Sequence, residues 1–240
     1  VDELELFLHP GRDTTTVGAI QVTNTTDHEV QVLVELGDWE RDLQGRNIFM
    51  AAGQSRNSCG QRLHAFPMGF RLGAHESAPL RVSYAGPARP GCWGIVFVQT
   101  DDRPAALKQS GLLFKLRTGV KVYVEAPDAR KDGAVTGLEV VDTVAAARPG
   151  EAAARRRSAR ITFRNTGEAH LRVKGSLEIR RNDGSGAGAV DLGEVPIAPG
   201  AERRIDAVLP ALPAGKYVLL ALLDFGGDEI AAGQAELEVQ

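Results

Sequence analysis

Residues Gly111–Glu125 read GLLFKLRTGVKVYVE. Leu112, Phe114, Leu116, Thr118, Val120, Val122 and Val124 fall on one parity, and Lys115, Arg117, Gly119, Lys121, Tyr123 and Glu125 fall on the other. A period of two puts the first set on an apolar face of an extended strand and the second on a mostly polar face. The β-branched run Val120, Val122, Val124 favours a strand over a helix. The pattern outlasts the usual strand of about 5–6 residues, so Leu112–Leu116 is surplus to what a home core needs. The surplus has two readings: a strand end offered for pairing with another protein, or a plain core or edge strand covered by the polar Asp101–Ser110 segment before it.

Outward from this stretch, short alternating runs recur between Gly, Pro, Asn and Asp. Upstream they are Leu4–Leu8, Val17–Asn24, Glu29–Leu36, Leu80–Tyr84 and the continuous apolar run Gly94–Gln99. The last reads as a central strand covered on both faces. Residues 37–62 are polar and rich in Gly, Asn, Gln and Ser, which predicts irregular chain anchored by Trp39. Pro127–Gly133 (PDARKDG) marks a joint. It predicts one domain over 1–127, carrying the strand 111–125, and a second over 128–240. The second half repeats the rhythm at Val135–Val144, Ala159–Arg164, Leu171–Arg180, Ala189–Val195, Glu202–Leu209, Gly215–Asp224 and Glu229–Val239. Seven short strands over roughly 105 residues is the pattern of an immunoglobulin-like sandwich. The predicted class is therefore all-β, with two immunoglobulin-like β-sandwich domains in tandem. QVTNTTDHEVQV at Gln21–Val32 echoes TFRNTGEAHLRV at Thr162–Val173. In both an Asn-Thr turn joins two strands, a place where asparagine accepts left-handed backbone and closes turns through its side chain.

The 240 residues are 43% hydrophobic and 25% charged with a net charge of −3, an ordinary globular composition without a pull toward nucleic acid or anionic membrane. No apolar run reaches the roughly 18 residues of a membrane-spanning helix. The chain opens at Val1 directly on an alternating run, as a processed and exported chain would. Cys59 and Cys92 allow one disulfide in an oxidising compartment, two buried thiols, or a zinc set with His64 and His75 that matches no tight ligand spacing. Catalytic signatures such as G-x-S-x-G, H-E-x-x-H and a Walker loop are missing, so no enzymatic activity and no cofactor are expected. Asp183–Gly188 (DGSGAG) reads as a hairpin turn, because phosphate cradling needs a helix N-terminus or nest. Arg155–Arg157 lacks interleaved aromatics, so no nucleic-acid partner is expected. Asp38, Glu40 and Asp42 lack the glycine and ligand ladder of a calcium loop.

The segment Leu112–Val124 resembles the last strand of the first domain in periplasmic pilus-assembly chaperones of the chaperone–usher class. Leu112, Phe114 and Leu116 match the donor residues, and Lys121 in TGVKVYV matches the lysine that grips a subunit's terminal carboxylate. The order of strands along the whole chain fits as well. The resemblance implies a periplasmic protein that lends this strand to an incomplete pilus or fibre subunit, with an outer-membrane usher as a second partner and self-association through the same strand when alone. The family places an arginine in the first strand beside the lysine. The matching region Leu6–His9 has none, and Arg12 is the nearest basic residue. The alternative is a structural or adhesive surface module built from the same two domains.

Overall fold

The structure, a computed structural model, describes residues 1–11, 15–101, 115–144 and 155–240. The chain forms two compact units, one of Val1–Glu40 with Asn47–Asp128 and one of Arg41–Arg46 with Ala129–Gln240. Both are β-sandwiches. None of the described helices is long and apolar enough to cross a membrane.

The first sandwich contains β1 (Glu5–Leu8), β2 (Thr15–Thr23), β3 (Val30–Arg41), β4 (Asn47–Ala51), β5 (Leu63–Phe66), β6 (Gly69–Leu72), β7 (Ser77–Ala85), β8 (Cys92–Asp101) and β9 (Lys115–Val124). One sheet runs β1-β9-β8-β3-β4, with β6 also paired to β3, and the other runs β2-β7-β5. Alternation dictates how they close. Val120, Val122 and Val124 of β9 meet Val30, Val32 and Val34 of β3 and Ile20, Val22, Leu80 and Val82 of the facing sheet in one core. Strand β8 lies between β9 and β3, and Ile95, Val96, Phe97 and Val98 are all buried, so both of its faces are covered. The expectation of irregular chain over residues 37–62 fails at its start. Strand β3 runs on to Arg41, where burial spreads to both parities: Asp38 continues that of Val30, Val32 and Val34, and Gly37 and Trp39 are buried on the opposite face; β4 follows. Trp39 itself is the expected anchor, only 1% exposed.

The second sandwich holds β10 (Gly133–Val144), β11 (Arg155–Asn165), β12 (Leu171–Arg181), β13 (Gly186–Ile197), β14 (Glu202–Val208), β15 (Gly215–Asp224) and β16 (Ile230–Val239). These are the seven strands among the described residues of that half, in sheets β10-β11-β14 and β13-β12-β15-β16. Ile161 and Phe163 face Leu177, Ile179, Leu219 and Leu223 across the core. The DGSGAG stretch is the turn of the β12–β13 hairpin, with Gly184 at φ 84°.

The echoed Asn-Thr turns share one physical device. Asn24 donates from Nδ2 to the carbonyl of His28 at 2.7 Å and accepts at Oδ1 from the Thr26 N–H at 3.0 Å. Asn165 donates to the carbonyl of Ala169 at 2.9 Å and accepts from the Gly167 N–H at 2.9 Å. Each also reaches across its sandwich, to Gly73 and to Ile197 respectively. The side chain rather than a left-handed backbone carries the turn, since His75 is the described non-glycine residue with positive φ.

Cys59 and Cys92 form a disulfide with Cα atoms 5.0 Å apart. It ties the turn before the short 3-10 helix Gly60–Arg62 to the first residue of β8. Both thiols are consumed, which removes the free-thiol and zinc readings.

Two stability changes follow. Asn165→Ala strips a fully buried amide from three backbone groups and is expected to cost about 2–3 kcal/mol, read as a lowered urea midpoint; an unchanged midpoint would show that the tie is ornamental. The bond spans 33 residues. Its removal in the Cys59→Ser, Cys92→Ser double variant is expected to cost roughly 3–4 kcal/mol by chain entropy, measured as the midpoint difference between oxidised native protein and variant.

Candidate functional site: the outer edge of β9 and Lys121

Strand β9 is divided along its length. On one side it pairs with β8 throughout, from Asp101↔Lys115 to Cys92↔Val124. On the other, β1 runs parallel to it only from Glu5↔Lys121 to Leu8↔Val124. Among the described residues no strand pairs with that outer edge over Lys115–Val120. The backbone N–H of Lys121 donates to Leu4 O at 2.9 Å and that of Glu125 donates to Leu8 O at 3.0 Å. Odd-numbered residues therefore aim their N–H and C=O at this edge, because backbone groups alternate sides along a strand. Lys115, Arg117 and Gly119 present theirs where β1 does not reach.

The side chains divide at the same point. Val120, Val122 and Val124 are 0% exposed, whereas Leu116, on the same parity, is 69% exposed. The home core uses the apolar face as far as Val120. Two glycines flatten the opposite face. A Cβ on Gly119 would stand 2.7 Å from Ile95 Cδ1, and one on Gly37 would stand 2.9 Å from the carbonyl of Met50. Phe97 lies between them, with Arg117 above its ring at 3.7 Å and Phe49 edge-on at 5.5 Å. Arg117 also bonds Glu35 at 2.6 Å.

Lys121 sits where the covered and uncovered parts of the edge meet. Its Nζ is 4.5 Å above the ring of Trp39. The Trp39 indole donates from Nε1 to the carbonyl of Gly94 at 3.0 Å, and Trp93 Nε1 donates to the carbonyl of Trp39 at 3.1 Å. Tyr123 meets Trp39 edge-on at 5.7 Å and stacks on Phe7 at 4.8 Å. The residue in register with Lys121 on the first strand is Glu5, and Tyr123 Oη donates to its carboxylate at 3.2 Å. A carboxylate thus stands beside the lysine on the first strand, one residue before the Leu6–His9 region in which the resemblance leads one to look for an arginine. Glu5 was not singled out by the sequence. Its pairing joins residues 116 apart through a parallel contact that no local pattern announces.

Of the sequence candidates, Leu116 and Lys121 lie on β9, five positions apart. Leu112, Phe114 and Arg12 lie outside the described residues. The acidic residues weighed as calcium ligands have structural work instead. Asp38 accepts from the Ser55 N–H at 2.8 Å and the Ser58 hydroxyl at 2.7 Å, and Glu40 accepts from the Ser55 hydroxyl at 2.9 Å. Asp42 is held below the usual carboxylate range, first by the backbone N–H of Arg46. A shallow depression in the first unit is bordered by Pro10, Pro87 and Pro127. The two charged residues on its wall, Arg89 and Asp128, pair with each other at 3.0 Å.

No protein-family model and no curated protein sequence matches the chain. Solved structures do resemble it. A class 5 fimbriae chaperone, CfaA, aligns with a TM-score of 0.54 at 10% identity, over 99% of this chain and 96% of that one. A chain from a chaperone–tip adhesin complex of CFA/I fimbriae biogenesis aligns with a TM-score of 0.54 at 9% identity, over 99% and 98%. The chain therefore has the two-domain β-sandwich fold of fimbrial chaperones.

Proposed function

We propose that the protein is a periplasmic chaperone that caps incomplete pilus or fibre subunits by lending them part of β9. The observation that carries this is the outer edge over Lys115–Val120, which no strand among the described residues covers, with Leu116 exposed on the strand whose later residues build the home core. A sandwich lacking one strand leaves a row of unpaired backbone groups and an apolar groove, the combination that drives edge aggregation. A lent strand meets both needs. Its backbone pairs with the edge while Leu112, Phe114 and Leu116 fill the groove, each contributing roughly 1.5–3 kcal/mol of gross burial.

Lys121 sets the register. Strand β1 runs parallel to β9 from Lys121 onward. A partner strand taking the edge before it, in the same direction, ends its chain beside Lys121. A C-terminal carboxylate there gains a charge-assisted contact. The name of one structural neighbour, a chaperone–tip adhesin complex, supports a fibre subunit as the partner. Usher docking and self-association through the same strand belong to this reading.

Co-expression with an incomplete pilus or fibre subunit is expected to yield an equimolar complex. The Phe114→Asp, Leu116→Asp double variant loses that complex while keeping its thermal midpoint. Lys121→Ala weakens it about tenfold, or ~1.4 kcal/mol, and Glu5→Gln strengthens it by removing the negative charge in register with the lysine. A complex indifferent to the double variant would move the function to a surface module that binds through another face.

A further inference from the structure

We infer that Trp39 is a positioning residue for Lys121 and that Trp93 is the clamp that fixes Trp39. This deepens the reading of Lys121 as the cation that receives a partner's carboxylate, and rests on it. Lysine carries its charge on a flexible four-carbon stem, so an unsupported ammonium samples many positions. Here the ammonium lies 4.5 Å above an indole that is itself immobile. Trp39 is buried, its Nε1 is bonded to Gly94 O, and its own carbonyl receives the Trp93 indole. Trp93 is fastened in turn. Its N–H donates to Asn57 O at 3.0 Å and its carbonyl accepts from the Cys59 N–H at 3.3 Å, directly beside the Cys59–Cys92 bond. The face of an indole attracts a cation through its quadrupole without neutralising it. The charge is thus placed before a partner arrives, which lowers the ordering cost of binding. Tyr123, edge-on to Trp39 and bonded to Glu5, keeps the carboxylate of the neighbouring strand oriented toward its own hydroxyl.

The role is tested by dimethylating the lysines with 13C-formaldehyde, which keeps their charge, and recording their methyl resonances. Loss of one signal in Lys121→Arg assigns it. The native Lys121 signal is expected to be displaced upfield by the indole ring current. Trp39→Leu returns it to the envelope of the other lysines, and Trp93→Phe shrinks the displacement. Trp39→Phe, which is gentler on the core, retains a smaller displacement than native. The binding probe is a ten-residue peptide of alternating valine and threonine, made with a free C-terminal carboxylate and as its amide. The native protein is expected to prefer the carboxylate form. That preference falls by about threefold or more in Trp39→Phe while amide binding stays constant. A native Lys121 signal that is not displaced, or one that stays displaced in Trp39→Leu, overturns the inference. A carboxylate preference present in the native protein and undiminished in Trp39→Phe overturns the positioning role alone. A native protein without any such preference overturns the partner-site reading and this inference with it.

Discussion

Each residue of a strand brings one N–H and one C=O that need a partner or water. In β9 those needs are met on the β8 side along the full strand and, among the described residues, on the other side only where β1 lies. Val122 and Val124 of the covered part lock the core together with Val120, so the strand is held there and presents its backbone outward before Lys121. The proposed loan of this strand needs both halves. A strand without the anchored part has no fixed direction, and one covered along its whole length would have nothing to lend. Gly119 serves this division, since its bare Cα lets Ile95 and Phe97 lie flat against the sheet at the boundary.

The charge at that boundary is handled by aromatic surface. Lys121 rests on Trp39, Arg117 rests on Phe97, and both rings are buried in the sheet face. Cations held this way keep their charge while their stems cover apolar surface. Arg117 is already paired with Glu35 at a largely solvated site, where such a pair contributes little to stability. Its contribution is better understood as keeping the flat face of Phe97 covered next to the uncovered edge.

Much of this architecture is written in local patterns. The alternation of Val120, Val122 and Val124 fixes which face of β9 enters the core, and the exposure of Leu116 shows where that use ends. The seven strand runs of the second half are legible because each carries its own period of two. The Asn-Thr repeat points to Asn24 and Asn165 before either is seen to tie its turn. What local patterns do not carry is register between distant strands. Glu5 stands opposite Lys121 only because β1 joins β9 in parallel, and the seat under Lys121 needs β3, β8 and β9 side by side. The polar composition of residues 37–62 also misleads at its start. Asp38 and Glu40 look like loop residues, yet they extend β3 and spend their carboxylates on the Ser55–Ser58 turn.

The same reasoning explains how so little sequence identity accompanies the fold. A sandwich asks for alternation of some apolar residue, a turn that satisfies its own backbone, and a few buried polar ties; it does not ask for particular side chains at most positions. The two halves of this chain show it internally. Asn24 and Asn165 make the same i+2 and i+4 bonds, while the strands around them share little beyond their period. On the proposed function, residues at the β9 boundary are under a narrower constraint, because a charge must stand at one place on one edge. A fixed indole under a lysine meets it with a point charge whose position is set by packing. The planar fork of an arginine would instead add direction to each bond. On the proposed function, a site built on a lysine and an indole would select where a partner chain ends more than how its carboxylate is turned. The carboxylate in register on the neighbouring strand, Glu5, accepts from the Tyr123 hydroxyl, so the same aromatic that meets Trp39 edge-on also touches the acid beside the lysine.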